Sequence, residues 1–224
     1  MGRELRVLDT SLGRDRADRA IRFAREGHRV TALESDPDLL ELARESVDAE
    51  PKEIRRRIRV VPGGSEATGA HFLPGSFDLV LSHGDLMEAQ DPSNTLAGLA
   101  RVLDAGGLLS LLVRNDDALA LIPARAGDWD ATLAALGFTE RTFRLDDLAS
   151  LLSRLGVPLR QWYGVQVFSG SAPQEARAAG DDRDERLQEA EMEAELQAGR
   201  TDPYRAVAPM LHLCASRQAA AAAS

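Results

Sequence analysis

The sequence predicts a doubly wound α/β fold built around a mostly parallel, seven-stranded sheet. Three observations point there. Through the first half, short apolar runs alternate with segments whose apolar residues recur at helical spacing, and Gly/Pro turns join them. That alternation means parallel strands linked by crossover helices. The runs carry little polar alternation, as expected of strands covered on both faces. A chain of 224 residues, 44% hydrophobic, suits one domain with a substantial core rather than two.

The first strand is Leu5 to Leu8, ending at Asp9. From Arg14 to Glu26 the apolar positions Ala17, Ala20, Ile21 and Ala24 define one helix face, and Gly27 stops the helix. His28 to Leu33 reads as the second strand, ending at Glu34. Asp36 followed by Pro37 is an N-cap with proline at the first helical position, and Leu39, Leu40, Ala43 and Val47 line the helix behind it. Ile58 to Val61 is the third strand, closed by Pro62-Gly63-Gly64. Phe77 to Leu81 is the fourth, launched by Pro74-Gly75. Asn94 to Leu103 reads as a helix, which Gly106-Gly107 separates from a fifth strand, Leu108 to Val113. Beyond it, Trp129 to Leu136 and Asp146 to Leu155 read as helices and Arg160 to Phe168 as a strand. Ser169 to Gly180 reads as a loop, Asp182 to Ala198 as an acidic helix, and Ala208 to Ala215 as the last strand. The domain expected is 1–217, with 218–224 a disordered Ala-rich tail.

Composition narrows the function classes. The net charge is -9 and Lys52 is the only lysine, which speaks against nucleic acid as a partner because non-specific affinity comes largely from Lys/Arg contacts to phosphate. Arg55-Arg56-Arg57 is the one basic cluster; its simplest reading is a solvated helix end. No apolar stretch approaches the length that spans a bilayer. The N-terminal residues show no secretory pattern, so a cytoplasmic location and no membrane partner are expected. With one cysteine, Cys214, expected as a buried apolar residue of the last strand, and four scattered histidines, no metal site is expected.

In doubly wound folds ligands bind at the carboxyl ends of the strands. Here the first strand leads into Asp9-Thr10-Ser11-Leu12-Gly13, and an acidic residue, Glu34, ends the second strand 21 positions after Gly13. That spacing suits a carboxylate that accepts both hydroxyls of an adenosine ribose. The segments E-S-D-P (34–37), F-D-L-V-L-S-H (77–83) and the Gly-Gly before the fifth strand resemble the class I S-adenosylmethionine (SAM)-dependent methyltransferases, a Rossmann-like fold. S-H-G-D-L-M-E-A-Q-D-P (82–92), L-L-V-R-N-D-D-A-L (111–119), Y-G-V-Q-V-F (163–168) and D-P-Y-R-A-V-A-P-M-L-H-L (202–213) are similar to the bacterial tRNA carboxymethoxyuridine methyltransferases and their actinobacterial relatives. Together these segments touch nearly all of the chain.

The resemblance implies SAM as cofactor and a role for each matching residue. Asp9, Thr10, Ser11 and Gly13 would shape the loop around the methionine end, and Glu34 would hold the ribose. Ser35 and Asp36 would flank the adenine, with Gly64, Ser65 and Glu66 on its other side. Ser82 and His83 would face the sulfonium and the acceptor. Arg114, with Asn115, would pin an anionic acceptor, and His83 would serve as base where a hydroxyl or amine acceptor needs one, with Asp85 or Glu88 as alternatives. Trp162 and Tyr163 are read either as acceptor-pocket lining or as core.

Two departures stand out. The family loop usually carries three glycines; here Ser11 and Asp15 replace the first and third, where a side chain hinders close backbone approach. The helical lid segment that precedes the first strand in relatives is also expected to be lacking. The lid then comes from elsewhere, a partner chain or a second copy of this one, or the pocket is open. The function expected is methyl transfer from SAM to a small-molecule acceptor through oxygen or nitrogen. The alternative is a non-catalytic protein of the same fold acting as a binding or assembly partner; tRNA methylation ranks third.

Overall fold

The computed structural model describes residues 3–12, 17–137, 141–169 and 185–218. Strands β1 (Arg6–Asp9), β2 (Arg29–Glu34), β3 (Ile58–Pro62), β4 (Phe77–His83), β5 (Leu103–Arg114), β6 (Leu159–Val165) and β7 (Met210–Ser216) form one sheet in the order β3-β2-β1-β4-β5-β7-β6. β1 pairs in parallel with β2 and β4, and β2 with β3. The register sets Asp9 beside Ala32 and Leu81, and Glu34 beside Pro62, so the strand-end residues converge on one edge. Chain contacts divide the protein into two compact units: Met1–Leu111 with Ala149–Arg160 and Cys214–Ser224, and Leu112–Leu148 with Gln161–Leu213.

In the first unit, α1 (Asp18–Arg25) lays Ala20, Ile21 and Ala24 on Val7, Val30 and Ala32. The stripe expected from the sequence therefore forms. The helix starts at Asp18 behind a left-handed Ala17, and residues 14–16, expected as its beginning, lie outside the described residues. α2 (Pro37–Asp48) adds Ala43 and Val47 to the same core. Its cap is as read: the Asp36 carboxylate accepts the backbone N–H of Asp38 at 2.8 Å and of Leu39 at 3.2 Å. A short α3 (Lys52–Arg55) follows; it, α4 (Thr68–His71) and α5 (Asp85–Glu88) give too few turns for a periodic signal.

α6 (Pro92–Val102) begins two residues earlier than the sequence suggested, because Asp91 accepts the N–H of Asn94 at 3.0 Å and Pro92 opens the first turn. β5 begins at Leu103, not Leu108, so Gly106-Gly107 lies inside the strand rather than breaking it. At Gly107 a Cβ would meet the carbonyl oxygens of Asp104 at 2.9 Å and Asp78 at 3.2 Å, and Gly106 has φ +76°. Glycine is what lets the strand continue there.

α4 and α6 touch backbone to backbone: a Cβ on Gly69 would sit 2.9 Å from Gly98 Cα. Gly69→Ala is expected to force the two apart and to cost about 1–3 kcal/mol, read as a lower urea midpoint. An unchanged midpoint would show that the short helix simply gives way.

The second unit contains α7 (Leu121–Arg125) and α8 (Trp129–Ala135), the start of α9 (Leu145–Arg154) up to Leu148, most of β6 and β7 and all of α10 (Glu185–Ala198). β6 stops at Val165, short of the Phe168 end expected, where Gln166 turns to positive φ. Residues 182–184 of the expected acidic helix, 170–180 of the expected loop and 219–224 of the tail lie outside the described residues. Cys214 is half-buried in β7 rather than fully buried, and burial raises its thiol pKa. Among the described residues no helix is long and apolar enough to cross a membrane.

Candidate active site

The strand ends of the first unit enclose a cavity of about 440 Å³, within the range of small-ligand sites. Thr10, Ser11, Glu34, Ser35, Gly64, Ser65 and Glu66 all line it, as do Asp85 and Glu88. These residues come from four separate strand exits, and the sequence had named all seven of the first group.

Glu34 is only 8% exposed. Its Oε1 accepts the Asp36 N–H at 3.0 Å, while Oε2 has no partner among the described residues. Glu34 lines the cavity, and its uncommitted oxygen remains available there as an acceptor. A vicinal diol is a matching donor, so the adenosine half of SAM fits this wall. Asp36 is spent on capping α2, and Glu66 accepts the N–H of Gln90 at 2.5 Å. Thr10 Oγ1 donates to Asp85, and the fully buried Ser82 donates to the same oxygen at 3.2 Å. Gly13, like Asp15, lies outside the described residues.

Beneath the cavity lies a network that the sequence did not announce. Asp9 is fully buried, and Arg19 of α1 grips it with both arms of its guanidinium, Nε to Oδ2 at 2.7 Å and NH2 to Oδ1 at 2.5 Å. Burial pushes the Asp9 carboxyl above its usual range, against the pull of Arg19. Arg19 also donates to the Ser11 carbonyl at 2.7 Å and meets His83 Nδ1 at 2.9 Å. Arginine can only donate, so Nδ1 accepts and the proton sits on Nε2, which lies 2.9 Å from Ser110 Oγ. Both ring nitrogens of His83 are thus engaged. Ser11 closes the network by donating to the His83 carbonyl at 3.1 Å.

In the second unit Asn115 is 1% exposed, and its amide donates to the carbonyls of Ala206 at 3.0 Å and Ala208 at 2.8 Å. It is therefore occupied with backbone, whereas its neighbour Arg114 is exposed at the end of β5. Trp162 carries the Arg205 guanidinium at 4.1 Å, and Tyr163 stacks on His212 at 5.8 Å. Tyr163 and His212 line a cavity of about 340 Å³ with Met192, Leu196 and Arg200. Among the described residues no group of His, Cys, Asp and Glu could hold a metal ion.

The mostly parallel sheet, its strand order and the polar residues gathered at its carboxyl edge are those of a Rossmann-like α/β fold. Residues 8–111 match a family model described as a methyltransferase domain. In fold and matched domain the chain resembles the class I SAM-dependent methyltransferases. More particularly, it is similar to the tRNA 5-carboxymethoxyuridine methyltransferase of Escherichia coli K12. The two are 28% identical over 221 residues, covering 96% of this chain and 80% of that one. Among solved structures, a SAM-dependent methyltransferase from Methanosarcina mazei superimposes with a TM-score of 0.63 at 14% identity, covering 98% of this chain and 95% of that one. Another from Mesorhizobium loti gives 0.61 at 18%, covering 96% and 91%.

Proposed function

We propose that the chain transfers the methyl group of SAM to a carboxylate, forming a methyl ester. The observation that carries this reading is the occupied histidine. His83, the nearest candidate base, has Nδ1 committed to Arg19 and its Nε2–H committed to Ser110. A hydroxyl or amine acceptor needs a base; a carboxylate does not. Bound SAM supplies an electrophilic methyl group on a sulfonium, so the protein's task is proximity and in-line alignment. The methyl–sulfur bond breaks as the oxygen–methyl bond forms, S-adenosylhomocysteine leaves, and no proton moves. The Escherichia coli relative points the same way, since the carboxymethoxyuridine in its name bears a carboxylate.

The carboxylate belongs either to a free small molecule, as the acidic composition suggests, or to a modified uridine in tRNA, as the relative's name suggests. Incubation with methyl-labelled SAM, with tRNA carrying 5-carboxymethoxyuridine and separately with a panel of carboxylic acids, distinguishes them. The expected product releases its label in mild alkali, as methyl esters do. An alkali-stable product would overturn the ester reading.

A second reading is favoured by the Asp9–Arg19 pair. The resemblance sets Asp9 beside the methionine end of SAM, and here its charge is already answered from within. In that reading the protein binds no SAM and acts as an assembly partner. Calorimetric titration with SAM separates the two: micromolar binding supports methyl transfer, and none at millimolar SAM supports the second reading.

A further inference from the structure

The opposite, amino-terminal edge of the same strands carries an unexpected charge pattern. Arg6 of β1 stands beside Arg29 of β2 in register, and the carbonyl of Arg57, just before β3, accepts the Val30 N–H at 2.8 Å. Three arginines therefore sit abreast on three neighbouring strands. One step along the same face comes Arg59, in register with Thr31. The other face of these strands buries Val7 and Val30 in the core, so the arginines occupy the remaining face. Like charges directly opposite one another in a sheet are destabilising.

Part of this charge is answered locally. Arg6 pairs with Asp78 at 3.0 Å and Asp104 at 2.6 Å, and Arg29 and Arg57 share Glu4 at 2.7 and 3.4 Å. Arg56 and Arg59 have no ion pair or side-chain hydrogen bond among the described residues. All five arginines line one cavity of about 830 Å³, against two glutamates, Glu4 and Glu53. In a chain of net charge -9 this is a concentrated positive concavity. The cluster that reads in sequence as a solvated helix end is, for Arg56 and Arg57, a cavity wall.

The geometry points to a second ligand site here, separate from the cofactor cavity, that takes an anion with adjacent phosphates. Several guanidinium forks on one concave surface suit phosphate oxygens, which accept two parallel N–H bonds from each fork. A concavity of one sign also concentrates field that the surrounding acidic surface would otherwise cancel. The phosphates come from a small phosphorylated molecule or from an RNA backbone.

Inorganic pyrophosphate and bulk tRNA are the probes, each titrated against the full chain and against Arg56→Ala/Arg59→Ala. Both residues are exposed and have no ion pair among the described residues, so the double variant should fold, which its thermal melt checks. Arg55→Ala, a neighbour that faces Asp48 and does not line the cavity, is the charge control. The expected result is saturable pyrophosphate binding, weakened at least tenfold in the double variant and unchanged in the control. Competition by tRNA would assign the phosphates to RNA; pyrophosphate binding without competition would assign them to a small ligand. No saturable binding of either probe, or equal loss in the control, would overturn the proposal. SAM titration reads the cofactor cavity independently, so failure there leaves this result standing.

Discussion

Arg19→Ala is expected to destabilise the protein by about 3 kcal/mol near neutral pH, and by much less at about pH 5. Removing one partner of a buried ion pair typically costs about 3–5 kcal/mol because a charge is left buried and unanswered. The low end applies here: the Arg19 side chain is 31% exposed, although Asp9 is 1% exposed. The pH dependence follows from Asp9. Its carboxyl already lies above the usual range through burial, with Arg19 pulling it down. Without Arg19 it rises further. A carboxyl whose folded value is raised binds its proton more tightly in the folded state. Stability is then lost as pH climbs from the unfolded value, about 3.9, through the folded one, and is regained below it. Urea unfolding at the two pH values reads the difference. Asp9→Asn should restore most of the loss in the double variant, since no charge then needs a partner. Equal destabilisation at both pH values, with no rescue, would show that Arg19 acts through packing alone.

That pair also marks what sequence reading misses. The strands and their terminal carboxylates were legible because β1 to β4 are apolar runs closed by turn residues, and the fold places every such end on one edge. The loop after β1 and Glu34 followed from that rule, and the family resemblance added Ser35, Gly64, Ser65 and Glu66. Arg19 did not, because Asp18-Arg19 at the start of an amphipathic helix looks like any solvated first turn. Only tertiary closure brings its guanidinium onto Asp9. The available signal was chemical rather than periodic: an acid expected to be buried at a strand end requires a cation, and Arg19 borders the buried Ala20–Ile21 face. The start of β5 was missed for a related reason. Gly106-Gly107 has the composition of a break, and only the crowding around Gly107 shows glycine sustaining a strand. Nothing in the sequence singles out Arg6 and Arg29; the register sets them side by side.

Glu34→Gln is expected to weaken SAM binding at least about 100-fold, and Glu34→Ala to remove it. A ribose diol donating to one carboxylate makes two charge-assisted hydrogen bonds, each contributing about 1.5–3 kcal/mol, and tenfold in affinity is about 1.4 kcal/mol. Glutamine is the more telling substitution. Glu34 also accepts the Asp36 N–H at 3.0 Å, which helps hold the turn into α2. Alanine removes that bond and could loosen the cavity wall, so a loss of affinity would have two readings. Glutamine keeps a carbonyl oxygen for Asp36 and replaces only the uncommitted oxygen by a donor, which cannot accept from a hydroxyl. A Gln variant with an unchanged thermal melt and lost SAM affinity would assign the effect to the ribose. Wild-type affinity in both variants would remove Glu34 from the cofactor site. The 440 Å³ cavity would then have to be matched to a ligand without a ribose diol.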